Sequence, residues 1–267
     1  MDALALLRLH IEWGADEALD DAPVDRLRAP GKENGQGVAG GRGQGGGVSN
    51  LAPASAHTPA IAPGTAAERA ASAAGQARSI DDLRAALAAF DGCALRDTAA
   101  NLVFAAGDPD AALMLIGDPP GEAEDRSGTP FPGPDGALLD RMLASVGLAR
   151  ETLLLTPLIP WRPPGGRPPN AAEIAVCLPF LHRLIALTQP RRVVLAGALA
   201  VRTLRGAARR RAGPAWTEIA VPGASAPVSA LVMPGPGLVS RTATSRREAW
   251  AALRLLRRTL DADLAKT

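Results

Sequence analysis

Four acidic side chains crowd into one short loop of this chain. They are Asp118, Glu122, Glu124 and Asp125. Residues 117–121, GDPPG, include Asp118 and come directly before the other three acids. Their two glycines and two prolines exclude regular structure and make the loop rigid. Phe131, one of four phenylalanines, follows shortly afterwards. Carboxylates on a rigid loop beside an aromatic ring indicate the wall of a pocket, although a polar turn between a strand and a helix can have the same composition.

The apolar pattern predicts the elements that position this loop. Residues 113–116 form a continuous apolar run, as expected for a strand that is buried on both faces. Similar runs recur at 153–156, 193–196 and 230–233, and helical patterns lie at 80–90, 137–146, 171–187, 198–204 and 245–260. Strands that alternate with helices predict a three-layer α/β/α sandwich around a central, mainly parallel four-stranded sheet.

The segments richest in Gly and Pro come directly after predicted strands. They are GDPPG at 117–121, PLIPWRPPGGRPP at 157–169 and PGPG at 234–237. In open parallel sheets, ligands bind at the carboxyl ends of the strands. Most connections in compact domains are short, so these longer loops predict a ligand site at that edge of the sheet.

Composition divides the chain into three parts. Residues 1–28 carry Leu4, Leu7 and Ile11 at helical spacing and predict an amphipathic helical extension. Residues 29–78 are rich in Gly, Ala, Ser and Pro, and they predict a flexible linker because they bury too little apolar surface to offset the entropy of ordering. The folded domain is expected at 79–267, where Asp81 and Asp82 open its first helix.

Charge is distributed unevenly along the chain. Residues 1–182 hold 14 Lys and Arg against 23 Asp and Glu, a net of −9, whereas residues 183–267 hold 15 against 4, a net of +11. An Arg-rich surface is suited to the phosphate backbone of nucleic acid. A solvated helix surface in an Arg-rich protein has the same composition, so both interpretations stay open on charge alone.

Apolar runs, the N-terminal residues and the two cysteines limit the class of protein. No apolar run approaches the roughly 18 to 20 residues that span a bilayer, and an acid at position 2 is not the basic start of a secretion signal. We therefore expect no membrane contact and a cytoplasmic location. Cys93 and Cys177 are too few and too far apart in sequence for a disulfide scaffold, which predicts buried thiols.

Several motifs together resemble one family. They are GDPPG followed by Glu124-Asp125, GTPFPGPDGALLDRML, TPLIPWRPPGGRPPNAAEIAVCLPFL, VVLAGALAV and REAWAALRLL. Over residues 85–260 the chain resembles the family-four, iron-sulfur uracil-DNA glycosylases. The resemblance implies their fold and a hydrolase of base excision repair, which flips uracil out of DNA and hydrolyses its N-glycosidic bond. It implies DNA with uracil or another damaged base as partner, and leaves protein partners unknown.

The resemblance gives roles to the acidic loop. Asp118 and Glu124 match carboxylates that stabilise the developing sugar cation or orient water, and Phe131 matches the ring that stacks on the base. The other pocket residues of this loop are Gly117, Pro119 and Gly121. Asp118 replaces a Glu of the family and is shorter by one methylene, about 1.5 Å, and a shift of about 1 Å can cost on the order of a hundredfold in rate.

Two further pocket positions depart from the family pattern. The family has Thr-Asn after the second strand, and its Asn reads the uracil edge, but this chain has Thr156-Pro157. Proline has neither an amide side chain nor a backbone donor. The family has a His after the fourth strand that donates to uracil, and this chain has Gly235 there. His182 lies on a predicted helix beside leucines, so it is expected to be packed or solvated rather than catalytic.

The cysteine ligands of the family's iron-sulfur cluster can be compared with this chain in the same way. A [4Fe-4S] cluster takes four cysteine thiolates. Cys93 and Cys177 match the second ligand of each cysteine pair, and Phe90 and Trp161 align with the first. Two thiolates do not hold such a cluster, so we expect no cofactor, with Phe90 and Trp161 filling the volume and the two thiols close in space. An altered metal site is the alternative.

Residues implied in DNA contact are better retained. Arg209, Arg210 and Arg211 match a basic loop of the family, and Leu238 and Arg241 match the apolar wedge and the following Arg that enter the minor groove. The sequence thus predicts a uracil-DNA glycosylase-like repair protein with weakened or altered activity. The alternative is a catalytically inactive DNA-binding member of the superfamily.

Overall fold

The computed structural model describes residues 63–205 and 213–264. The strands are β1 (Ala106–Gly107), β2 (Leu113–Gly117), β3 (Leu154–Pro157), β4 (Arg192–Ala196), β5 (Trp216–Ile219) and β6 (Val228–Met233). The α-helices are α1 (Pro63–Gln76), α2 (Ile80–Ala89), α3 (Leu95–Thr98), α4 (Glu122–Ser127), α5 (Gly133–Ala144), α6 (Ala171–Thr188), α7 (Ala198–Arg205), α8 (Pro236–Arg241) and α9 (Ala243–Leu264). Short 3₁₀ turns lie at Arg150–Thr152 and Pro164–Gly166.

The strands form one mixed sheet in the order β1-β3-β2-β4-β6-β5. The four central strands are parallel, as predicted, while β1 and β5 pair antiparallel with β3 and β6 at the two edges. Neither edge strand was predicted. The strand β1 has only two residues, and β5 has one buried residue, Ile219, so neither carries the apolar run that marks a central strand.

Side chains of the central strands alternate between two apolar cores. Met114, Ile116, Val193 and Leu195 belong to one core, which α1, α2 and α6 cover. Their neighbours in sequence belong to the second core, which α5 and α9 cover. Because successive side chains of a strand point to opposite faces, this alternation builds the three-layer α/β/α sandwich that was predicted.

The helix α1 corrects the predicted domain boundary. It lies inside the stretch 29–78 that was interpreted as linker, yet Ala66, Ala70 and Ala74 are buried along one face. The Arg183 guanidinium of α6 donates from Nε and Nη2 to the Ala77 carbonyl at 3.0 and 2.6 Å, which fixes the end of α1. Alanines allow close helix packing but look like linker composition, so the prediction failed here. Residues 1–62, with the expected helical extension, lie outside the described residues.

Packing of α1 gives a stability prediction. We expect Ala70→Leu to destabilise the protein by about 1 to 3 kcal/mol, because Ala70 is fully buried and a larger side chain overpacks the contact. The neighbouring Ala71 is exposed, so Ala71→Leu should change stability by less than about 0.5 kcal/mol. Urea unfolding of the two variants measures the difference. Equal midpoints would show that α1 is not part of the cooperative fold.

The helix α6 passes through the first core. Asn170 and Glu173 cap its N-terminus reciprocally, and Arg167 pairs with the Glu173 carboxylate at 2.6 Å, which lowers the pKa of that carboxyl. Contrary to the sequence prediction, its 18 residues and mean hydropathy of 1.5 are sufficient for a membrane span by length and composition. A third of this helix is buried, and Val176, Phe180 and Leu184 on that side pack into the first core.

Candidate functional site

The ends of the four parallel strands are in register at one edge of the sheet. Pro157 of β3 lies beside Gly117 of β2, Gly117 beside Ala196 of β4, and Ala196 beside Met233 of β6. The Leu158 amide donates to the Gly117 carbonyl at 2.8 Å, which continues the pairing past Pro157. The loops that follow these strands therefore meet at the carboxyl edge, where a ligand site was predicted.

Phe131 packs directly against Gly117. A Cβ atom added to Gly117 would lie 2.5 Å from Phe131 Cζ, so only glycine leaves room for the ring. Phe131 itself has a positive φ of 53°, which is uncommon for an aromatic residue and costs energy. The ring is buried, and the surrounding contacts must hold this conformation in place.

Arg150 holds Phe131 in that conformation. Its Nη2 donates to the Phe131 carbonyl at 2.9 Å, and its Nε donates to Asp140 Oδ1 at 2.7 Å. Gly136 lies so close to the same carbonyl that an added Cβ would be 1.8 Å from the oxygen. Arg150, Asp140 and Gly136 were not predicted, because nothing in their spacing marks them as partners of Phe131.

Asp118 contacts the start of α7. Its Oδ1 accepts hydrogen bonds from the Leu199 and Ala200 amides, both at 2.9 Å. Gly197 has φ of +144°, and a Cβ there would lie 2.3 Å from the Asp118 carboxyl carbon. The amides at a helix N-terminus favour a negative charge, so this contact suits a carboxylate. These hydrogen bonds also occupy one oxygen of the Asp118 carboxylate.

Gly235 follows β6 and lies close to Gly197. Its added Cβ would lie 3.4 Å from the Ala196 carbonyl oxygen and 3.7 Å from Gly197 Cα, which are ordinary contacts. Gly235 has φ of −63° and ψ of 150°, a conformation that any residue can adopt. The structure thus links Phe131 to Gly117 and, through Gly197, Asp118 to Gly235, with Pro157 beside Gly117.

The other carboxylates of the acidic loop have structural contacts. Glu124 Oε2 accepts from the Gly121 amide at 3.1 Å and so caps the start of α4. Asp125 is buried and accepts from the Ala100 and Asn101 amides at 2.8 and 3.3 Å. Pro119, between Asp118 and this helix, is half-buried. Glu124, expected in a catalytic role, therefore has a capping contact that the sequence analysis did not foresee.

Cys93 and Cys177 are close in space, as expected from the sequence. Their Sγ atoms are 3.9 Å apart and both residues are buried. The hydrogen bond with Cys93, together with burial, raises the pKa of the Cys177 thiol well above its usual value. Phe90 and Trp161 lie in the same apolar core, and the Phe90 ring meets Phe180 edge-on with centroids 5.4 Å apart.

These residues do not fit a [4Fe-4S] cluster. Such a cluster needs four thiolates, the chain has two cysteines, and aromatic rings stand at the other two aligned positions. Within 63–205 and 213–264, no group of three or more His, Cys, Asp or Glu side chains is arranged to hold a metal ion.

We expect protein purified under anaerobic conditions to contain less than stoichiometric iron and to lack the visible absorption of a cluster. The reason is the missing pair of thiolates. Elemental analysis measures the iron, and the Phe90→Cys, Trp161→Cys double variant, treated identically, provides a four-cysteine comparison. Four irons per unmodified chain would contradict the prediction.

Of the residues implied in DNA contact, the structure describes Leu238 and Arg241. Leu238 lies on α8 with half of its side chain exposed, and Arg241 is exposed in the last turn of that helix. The helix begins directly after Gly235, so it leaves the sheet at the candidate site. Arg209, Arg210 and Arg211 lie outside the described residues. His182, interpreted as packed or solvated, is half-buried, and burial lowers its pKa.

Comparison with known proteins relates this chain to one protein family. The model of the uracil DNA glycosylase superfamily matches residues 104–254. The chain is 35% identical over 122 residues to a type-4 uracil-DNA glycosylase of Pyrobaculum aerophilum, which covers 46% of this chain and 62% of that protein. Proteins of the same name from Archaeoglobus fulgidus and Thermotoga maritima are each 36% identical over 122 and 109 residues. These matches cover 46% and 41% of this chain and 61% and 57% of those proteins, so the matched part is less than two thirds of each relative.

Proposed function

Since the family model matches more than half of its length, the chain belongs to the uracil DNA glycosylase superfamily, and we propose that it acts on DNA containing uracil or another damaged base. The proposed reaction is hydrolysis of the N-glycosidic bond of a base flipped out of the duplex. Homologues named uracil-DNA glycosylase support this reaction class. A cytoplasmic location is part of the same proposal.

One observation carries the proposal. An aromatic ring that is fixed by Arg150 packs against the glycine at the end of β2, and Asp118 lies next to that glycine in the same loop. A fixed ring gives a flipped base a stacking surface, and stacking tolerates different bases because each has a π face. Asp118 supplies a negative charge that can stabilise the sugar cation as the glycosidic bond breaks. We propose the same role for Glu124, whose carboxylate also caps the N-terminus of α4.

We propose that this activity is weak towards uracil. Pro157 offers no amide to read the uracil edge, and Gly235 offers no donor to the departing uracil anion. Removal of one such preorganised donor from an enzyme typically lowers kcat by about 10²- to 10³-fold. Asp118 is also engaged by the Leu199 and Ala200 amides, which leaves its second oxygen for the sugar.

The second candidate function is DNA binding without base excision. It is favoured by the same missing groups at Pro157 and Gly235, together with the exposed Leu238 and Arg241 on the helix that follows Gly235. The chain would then recognise DNA through its basic C-terminal part, to which we assign Arg209, Arg210 and Arg211 as additional contacts. Such binding needs phosphate contacts but no chemistry at the base.

Single-turnover excision distinguishes the two candidates. Enzyme in large excess is incubated with labelled single-stranded or duplex DNA that contains uracil, and abasic sites are cleaved with alkali. We expect slow product formation that Asp118→Asn removes, because the carboxylate charge is lost while the side chain keeps its shape. Absence of product together with retained DNA binding would favour the binding protein. Absence of both would contradict each candidate.

A further inference from the structure

The outward face of α9 carries a row of cations around an exposed indole. Arg247, Trp250, Arg254 and Arg258 follow one another at spacings of three, four and four residues. Residues spaced in this way lie on the same side of an α-helix. The opposite side of α9, which includes Ala249, Leu253 and Leu256, is buried against the sheet. We call the four residues the outer face of α9.

Nothing in the described part of the chain covers the outer face of α9. Trp250 is 47% exposed, and Leu238 is the other large apolar side chain that is exposed within 63–205 and 213–264. The three arginines are exposed and form no ion pair within 63–205 and 213–264. Arg257, by contrast, pairs with Asp261 and donates to the Val146 carbonyl.

Such an arrangement is unfavourable for the free helix. Arg254 and Arg258 are like charges at i and i+4, where they repel each other. An exposed indole likewise keeps a large apolar surface in water. An anionic ligand with an apolar group would relieve both effects, because it would neutralise the arginines and cover Trp250.

Helix α9 runs away from the candidate base site, so the C-terminal part of its outer face lies far from that site. The helix starts after α8 at the carboxyl edge, and its Asp263 pairs with Arg192, the first residue of β4, at 2.7 Å. It therefore runs to the opposite edge of the sheet. At 1.5 Å per residue, Arg258 lies about 22 Å along the helix from residue 243.

We propose that the outer face of α9 is a docking site for an acidic protein segment that carries an apolar side chain. Carboxylates form paired hydrogen bonds with guanidinium groups, and Trp and Arg are the side chains that most often dominate protein interfaces. Duplex DNA would offer phosphates to the arginines, but its bases are stacked on one another inside the duplex and would leave the indole uncovered. The direction of α9 away from the base site also favours a protein segment over the DNA held there.

A defined peptide tests this proposal. A short fluorescent peptide of Asp and Glu with one central Phe is titrated into the full chain, and its anisotropy and the tryptophan emission are recorded. We expect Trp250→Ala and the Arg254→Glu, Arg258→Glu double variant each to weaken binding on the order of tenfold or more. The Arg78→Glu, Arg191→Glu double variant, at two exposed arginines outside α9, is the matched charge control and should bind as the unmodified chain does.

The same variants separate this proposal from the proposed DNA function. Trp250→Ala keeps every charge of the basic C-terminal part, so its DNA binding and excision should equal those of the unmodified chain, whatever that activity is. Equal peptide affinity in all variants would overturn the proposal. A loss of DNA affinity as large as the loss of peptide affinity would also overturn it, because the outer face of α9 would then be a DNA surface. A peptide without Phe should bind more weakly, and equal affinity for it would contradict a role for Trp250.

Discussion

Replacing Pro157 with Asn and Gly235 with His together is expected to raise the rate of uracil excision by at least about a hundredfold. The change supplies an amide for the edge of the base and a donor for the departing anion. Each donor of this kind is typically worth about 2.7 to 4 kcal/mol of transition-state stabilisation. The two effects need not add, because both groups would act on one bound base.

The structure places both positions at the carboxyl edge of the sheet. Pro157 is the last residue of β3 and lies beside Gly117, so an Asn there would start at the floor of the site. Gly235 has an ordinary backbone conformation, and its added Cβ comes no closer than 3.4 Å to another atom. A Cβ at Gly235 therefore requires no backbone shift.

Single-turnover rates on uracil-containing DNA measure the gain. The Pro157→Ala, Gly235→Ala double variant is the matched control, because it removes proline and glycine without adding a polar group. If the Asn and His variant folds and binds uracil-containing DNA but excises no faster than this control, the inferred roles of the two positions are wrong.

Gly117→Ala is expected to remove preferential binding of DNA with a flipped base. The new Cβ would lie 2.5 Å from Phe131 Cζ and 3.1 Å from Cε1, so the ring must move. Arg150 fixes the Phe131 carbonyl, which hinders any retreat of the backbone. Loss of one stacked base costs about 1 to 3 kcal/mol, on the order of 10- to 100-fold in Kd. Overpacking should also cost about 1 to 3 kcal/mol of stability.

The measurement compares affinities for duplexes with a mismatched uracil and with a matched pair. In Gly117→Ala the two affinities should become equal, while affinity for the matched duplex stays the same because phosphate contacts are unaffected. Gly75→Ala is the control, since nothing lies within 4 Å of the added Cβ and α1 is far from Gly117 in sequence. A preserved preference in Gly117→Ala would show that Phe131 does not stack on the base.

Apolar runs were enough to predict the parallel core of the fold. Strands β2, β3, β4 and β6 are buried on both faces, so their sequences are almost purely apolar and visible without a structure. The edge strand β5 and the alanine-rich α1 were missed for the opposite reason. Their stability comes from a neighbouring strand or helix, and their own residues carry little apolar signal.

The candidate site was predicted in part. Motif positions named Asp118, Phe131, Pro157 and Gly235, and the strand register brings the loops that hold them to one edge. The contacts of Asp118 with α7 and of Arg150 with Phe131 were not predictable, because they join residues that are 81 and 19 positions apart. Hydrogen bonds of that kind depend on the folded geometry and leave no local pattern in the sequence.

Photo-crosslinking with bromouracil in DNA tests most directly whether the carboxyl edge of the sheet holds a flipped base. The base is placed opposite a mismatch, the complex is irradiated and digested with trypsin, and the attached peptide is identified by mass spectrometry. We predict attachment within residues 127–141, the tryptic peptide that contains Phe131. Attachment confined to peptides far from this edge, such as those of α1 or the C-terminal half of α9, would contradict the account.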